Sequence, residues 1–167
     1  MTKRLIASLV LGLLAAGLTI LTAHAAGPPE CTNAHLKASY RGGDAGMSHR
    51  YGWIVLRNVS DRACRIEGYG GLSYVGGGDG TQVGAAATRA KGRTPSTVVR
   101  PGHRVSSPVA ETLAAPYPKR RCRPAHVDGL RVYLPDETRS QFVRHPGTGC
   151  RNERVHLLEH GPYRARR

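Results

Sequence analysis

Hydrophobic and polar residues alternate along several short runs of the chain, a period of two that predicts half-buried β-strands. Residues 36–40 and 130–134 show it most clearly. Residues 51–58 are apolar on both faces in the middle of the run, which predicts a central strand covered on both sides with Trp53 as its main core side chain. Further strands are predicted at residues 64–69, 72–75, 81–83, 97–99, 103–109, 141–144 and 154–159.

Turn residues separate these runs and no segment after residue 25 shows a sustained helical period. The glycines of residues 76–80 predict a hairpin turn and Pro101-Gly102 predicts another. Residues 84–95 are small and basic without periodicity and predict a loop, and the prolines of residues 114–119 indicate a connection. The pattern favours an all-β fold, a two-layer antiparallel β-sandwich of immunoglobulin-like type.

The N-terminal segment differs in composition from the rest. Lys3 and Arg4 precede an uncharged aliphatic run, and Ala23 and Ala25 suit a signal peptidase site. Residues 1–25 therefore read as a cleaved signal peptide, with an uncleaved membrane anchor as the alternative; no membrane span is expected after cleavage. The rest divides into a linker over residues 26–30, one domain over residues 31–160 and a basic tail over residues 161–167.

Four cysteines follow the signal segment, and an even number in an exported chain indicates two disulfides. Three pairings are open; Cys31 with Cys64 and Cys122 with Cys150 is favoured, because each pair flanks a segment that can return as an antiparallel neighbour. Zinc binding needs closely spaced cysteine pairs, which this spacing lacks.

The charge is strongly positive, +14 with 21 Arg and 4 Lys. Most of the arginines are scattered, which fits a solvated basic exterior. The cluster Lys119, Arg120, Arg121 and Arg123 is the candidate contact for a polyanion. An exported protein meets little nucleic acid, so nucleic acid is not an expected partner.

Motifs for catalysis or cofactors are weak. His156 to His160 match the H-x-x-E-H order of inverted zinc peptidases, but Gly161-Pro162 follow at once, so a terminal strand is favoured. Met47 and His49 make at most a weak soft-metal pair, and Asn58 begins a glycosylation sequon that a strand-end Asn explains equally well. No catalytic residue, metal site or cofactor is predicted.

Residues 56–72 read LRNVSDRACRIEGYGGL, a strand ending in Asn followed by Cys64 and a Gly-Tyr turn. This block resembles the signature of an exported actinobacterial family, the domain of unknown function 4232. Pro101-Gly102, the segments 122–124 and 130–135, and Cys150 are also similar to that family. Gly70 stands where the family usually has Pro. The resemblance implies a sandwich fold and an envelope location, and it assigns no catalytic residues.

These observations predict a non-catalytic exported or envelope-associated domain that binds a protein, glycan or anionic polymer. A secreted inhibitor of an extracellular enzyme is the alternative, with the loop of residues 84–95 as the segment that enters the enzyme's cleft. A secreted hydrolase is a third hypothesis, for which no nucleophile or metal set is visible.

Overall fold

The structure is a computed structural model that describes residues 27–165. The predicted signal peptide lies outside the described residues. Twelve strands and one helical turn make up the described chain: β1 Leu36–Gly46, β2 His49–Asn58, β3 Cys64–Ile66, β4 Gly71–Gly76, β5 Thr81–Gln82, β6 Thr88–Arg89, β7 Thr97–Val99, β8 Arg104–Thr112, α1 Lys119–Cys122, β9 Pro124–Tyr133, β10 Ser140–Cys150, β11 Leu158–His160 and β12 Arg164–Ala165.

The strands form two main sheets. One has the order β1-β2-β8-β11-β6 with β12 also paired to β8, and the other has the order β10-β9-β4-β5. β3 and β7 form a separate two-stranded sheet. The pairings are antiparallel except that of β11 with β6, which is parallel. The predicted all-β class, with antiparallel sheets and two disulfides, is confirmed; the immunoglobulin-like topology stays a prediction.

The core lies between the two main sheets and consists mostly of Val, Leu and Ile. Ile54 and Leu56 of β2 and Val105 and Val109 of β8 face it, as the alternation of these strands requires. Val127, Leu130 and Val132 of β9 are also fully buried. Each buried aliphatic side chain contributes about 1.5 to 3 kcal/mol relative to exposure, so a core with few aromatic rings suffices.

Trp53 does not lie in this core, and the prediction that β2 is covered on both sides was wrong. Its neighbours Gly52 and Ile54 face inward, whereas Trp53 is half-buried on the outer face. A register break in β1 between Gly42 and Ala45 brings Gly43 against the indole, where a Cβ would come within 2.7 Å of Cζ3 of Trp53. The indole therefore covers a bulge.

The folded unit extends beyond residues 31–160 at both ends. Pro29 accepts a hydrogen bond from the backbone of Arg65, and Glu30 forms an ion pair with the Arg65 side chain. At the other end Tyr163 is fully buried and Arg164 pairs with Ser106 of β8. The residues predicted as a basic tail are part of the fold as far as Ala165, because the tyrosine ring anchors them.

The structure contains two disulfides, and their pairing is the one that the sequence favours. Cys31 is bonded to Cys64 and Cys122 to Cys150, with Cα atoms 4.9 Å and 4.6 Å apart. The first ties the N-terminal segment to β3, and the second ties α1 to the end of β10.

Candidate functional site

The predicted polyanion contacts lie on one exposed turn. Lys119, Arg120 and Arg121 belong to α1, a single helical turn whose last residue, Cys122, is fully buried. The prolines before α1 prevent an earlier helical start, and the carbonyl of Pro118 accepts hydrogen bonds from Arg121 and Cys122. The disulfide between Cys122 and Cys150 attaches the buried side of the turn to β10, and the cationic side chains face solvent.

A second segment completes this surface. Arg151 and Arg154 follow β10 and are exposed, and the backbone N–H of Arg151 donates to the carbonyl of Arg123 at 3.0 Å. The Asn152 side chain donates to the carbonyl of Arg121 at 2.8 Å. The disulfide and these bonds join residues 119–123 and 151–154, which we call the basic turn. The contribution of residues 151–154 was not predicted, because their charges are spaced apart along the sequence.

The charges of the basic turn are unpaired within the described chain. None of its six cationic side chains, Lys119, Arg120, Arg121, Arg123, Arg151 and Arg154, has a carboxylate within 4.0 Å among residues 27–165. The Arg121 guanidinium lies over the Tyr117 ring at 6.0 Å from its centroid. The Arg123 guanidinium donates to the carbonyl of Arg151 at 3.5 Å, and the exposed Glu153 pairs with none of the six. The turn therefore presents cationic side chains that no described carboxylate neutralises.

Arg123 has a left-handed backbone conformation, with φ of 51°. That conformation costs about 1 kcal/mol or more for a residue other than glycine. Its N–H caps α1 by donating to the carbonyl of Lys119 at 2.8 Å. An arginine thus occupies a position where glycine would be less strained.

A second polar site lies between the two sheets and was not predicted. Glu111 of β8 is 2% exposed and accepts three side-chain hydrogen bonds. Tyr40 of β1 donates to Oε1 at 2.8 Å, and Tyr74 of β4 donates to Oε2 at 2.9 Å. Nε2 of His145, from β10, lies 2.9 Å from Oε2. One carboxylate therefore links four strands across the sandwich.

A bulge in β10 directs His145 toward this carboxylate. The register with β9 breaks between Arg144 and Gly147, so His145 and Pro146 together oppose the single residue Asp128. Such bulges re-aim a side chain. The His145 ring also packs on Tyr40, with ring centroids 4.3 Å apart.

The cluster favours an ionised carboxylate. Burial by itself raises the pKa of Glu111, but the hydrogen bond and positive charge of His145, with the two tyrosine hydroxyls, hold that pKa below its ordinary value. Burial and the Glu111 charge raise the pKa values of Tyr40 and Tyr74. Both tyrosines therefore stay protonated and act as donors.

The His156–His160 motif gives no metal site. His160 lies on β11 and is buried, whereas His156 is exposed before that strand. The Ser107 hydroxyl lies 3.3 Å from Nδ1 of His160, yet Ser107 is fully buried and donates to the carbonyl of Gly161. Burial and the charge of Arg89 lower the pKa of His160. A nucleophile with no solvent access cannot meet a substrate, so this pair is structural. No group of three metal-ligating carboxylate, His or Cys side chains occurs within residues 27–165.

Two weaker candidates are explained locally. Asn58 is 1% exposed and its amide donates to the carbonyls of Arg62 and Val99, so a glycan cannot attach in the folded state. Nδ1 of His49 lies 2.9 Å from the carbonyl of Met47, and the Met47 side chain is exposed at the β1–β2 turn.

The loop predicted over residues 84–95 is partly ordered by the sheet. Thr88 and Arg89 form β6 against β11, and Ala90 donates to the carbonyl of His160. The Tyr69 hydroxyl donates to the carbonyl of Ala90. Only the stretch after Ala90, residues 91–96, is continuously exposed.

The fold and its sites define a small disulfide-linked β-sandwich with an exposed cationic turn and a buried, hydrogen-bonded carboxylate. A family model described as Domain of unknown function (DUF4232) matches residues 31–164. The chain belongs to this family, as its sequence block predicts. No curated protein and no solved structure matches the chain. Between residues 27 and 165 no helix has the length and hydropathy needed to cross a membrane.

Proposed function

We propose that this protein is an exported, non-catalytic domain that binds an anionic polymer of the cell envelope through the basic turn. The observation that carries the proposal is the set of six exposed, unpaired cationic side chains on a disulfide-anchored turn. Guanidinium groups bind phosphate and carboxylate oxygens in a bidentate manner, so either kind of polymer fits.

The disulfide and the hydrogen bonds that hold the basic turn in place favour a binding site over a basic surface that is only solvated. Residues 119–123 and 151–154 are held by the disulfide and by backbone hydrogen bonds, so their charges are fixed before a ligand arrives. A preformed site loses less entropy on binding. The strained backbone at Arg123 also supports a role for this side chain. Disulfides persist in oxidising compartments, which supports export.

The inhibitor hypothesis has less support. An inhibitory loop must project into the enzyme's cleft, whereas Thr88 and Arg89, in the middle of the candidate segment, are paired with β11. The continuously exposed part of the candidate, residues 91–95, contains Lys91 and Arg93, which suit a trypsin-like enzyme. Rapid cleavage after Lys91 or Arg93 by stoichiometric trypsin would exclude inhibition of that enzyme.

The test of polymer binding reverses two charges at the turn. The variant R120E/R121E is compared with R57E/R104E, which changes the net charge equally at exposed residues that pair across β2 and β8. Cations near an anionic surface contribute about 1 kcal/mol each, so the turn variant is expected to bind immobilised polyphosphate or polygalacturonate about 30-fold more weakly. Equal losses in both variants would show that only net charge matters.

A further inference from the structure

A cavity of about 240 Å³ opens beside the buried carboxylate, between the end of β8 and the bulge in β10. Its lining includes Arg50, Tyr74, Glu111, Ala115, His145 and Thr148. This volume is slightly below the range of drug-sized ligand sites. The cavity therefore suits a ligand of only a few non-hydrogen atoms.

Two residues of opposite charge, Arg50 and Glu111, line this cavity and do not form an ion pair with each other. Arg50 lies directly opposite Glu111 in the β2–β8 pairing, so both side chains are on the same face of the sheet. Glu111 contacts His145 instead, and Arg50 has no carboxylate within 4.0 Å among the described residues. The cavity lies against both residues.

The buried carboxylate retains one acceptor position. A carboxylate offers about four lone-pair positions, and Tyr40, Tyr74 and His145 use three. Among residues 27–165 Oε1 accepts only from Tyr40, so the open position is on that oxygen. A donor that also carries positive charge complements an ionised carboxylate best.

We propose that this cavity binds a small zwitterion of the amino-acid class, whose ammonium group donates to Glu111 and whose carboxylate pairs with Arg50. The volume of the cavity limits the ligand to an amino acid with a small side chain. The bulge in β10 supplies two of the residues that line this cavity, His145 and Pro146. This site is independent of the basic turn, and neither proposal requires the other.

The test titrates the full chain with alanine at millimolar concentration and follows backbone amide resonances. Propionate and ethylamine, each of which has one of the two charges, are the matched ligands. Alanine is expected to shift the resonances of Arg50, Glu111, Ala115 and His145 and to bind about tenfold or more tightly than either analogue.

Variants test the same contact from the protein's side. R50Q removes the exposed charge at the cavity and is expected to weaken alanine binding about tenfold. R144Q removes an exposed charge beside the bulge but outside the cavity lining and is expected to bind as the wild type does. No shift with alanine, equal binding of propionate or ethylamine, or unchanged binding by R50Q would overturn the proposal.

Discussion

Glu111 is the residue whose chemistry is most unusual for its position. A carboxylate loses several kcal/mol of solvation on burial, yet Glu111 sits between two sheets at 2% exposure. A hydrogen bond to a charged group contributes about 1.5 to 3 kcal/mol of stabilisation. Three side chains donate to the Glu111 carboxylate. Together these bonds are comparable to the lost solvation, so removal of any one donor is expected to destabilise the ionised carboxylate.

The stability of the fold is expected to depend on the ionisation of Glu111. Because the pKa of Glu111 is lower in the folded state than its ordinary value of 4.5, the unfolded chain takes up this proton first as pH falls. The stabilisation is complete above pH 4.5 and is lost as pH falls through the folded-state pKa. Denaturant unfolding measured between neutral and acidic pH would show the decline.

A pair of glutamine variants separates Glu111 from the other carboxylates. E111Q is expected to be less stable than the wild type at neutral pH and to lose part of the acid dependence. E159Q changes an exposed carboxylate on β11 and is expected to keep the wild-type profile. An unchanged profile in E111Q would contradict a role for this group in acid stability.

Among the elements, the two disulfides have different roles although they resemble each other in loop length. They close loops with sequence separations of 33 and 28, for which chain entropy gives about 3.5 kcal/mol each. The bond between Cys122 and Cys150 also holds α1 against the end of β10, beneath the cationic side chains. Only this bond bears on the geometry of the basic turn.

A comparison of variants that lack one or the other disulfide therefore distinguishes an effect on the stability of the fold from an effect on polyanion binding. C122A/C150A and C31A/C64A are each expected to lower the free energy of unfolding by about 3 kcal/mol. Only C122A/C150A is expected to weaken polyphosphate binding as well, by several-fold. The affinities are compared where circular dichroism shows both variants folded. Equal affinities would mean that the turn is ordered without its disulfide.

For the molecule as a whole, the sequence predicts the strands that bury one face by their own alternation. The alternation of residues 36–40 and 130–134 predicts the first part of β1 and the last part of β9, because these segments bury their apolar side chains in the core. β6 and β12 have two residues each and form only because β11 and β8 offer open hydrogen-bonding edges. The prediction for Trp53 was wrong because it rested on a run that is apolar on both faces, whereas the phase of Trp53 on β2 directs it outward.

The site was harder to predict because its parts are distant in sequence. Glu111 is separated from Tyr40, Tyr74 and His145 by 71, 37 and 34 residues, and no local pattern marks such a meeting. One signal was present: Glu111 continues the buried phase of Val105, Ser107 and Val109 along β8. A carboxylate in that phase indicates buried partners. Half of the basic turn could be predicted because residues 119–123 are contiguous. Residues 151–154 join them only in the folded chain, through the disulfide and the hydrogen bonds of Arg151 and Asn152.

The net charge of +14 is spread over the molecule, so weak attraction to any polyanion is expected from its whole surface. The central claim is narrower: one turn makes the contact. Titration of the isotope-labelled protein with inorganic polyphosphate at physiological ionic strength tests it most directly. Amide and guanidinium resonances of residues 119–123 and 151–154 are predicted to shift together and to saturate. Small, unsaturated shifts at arginines over the whole surface would contradict the claim.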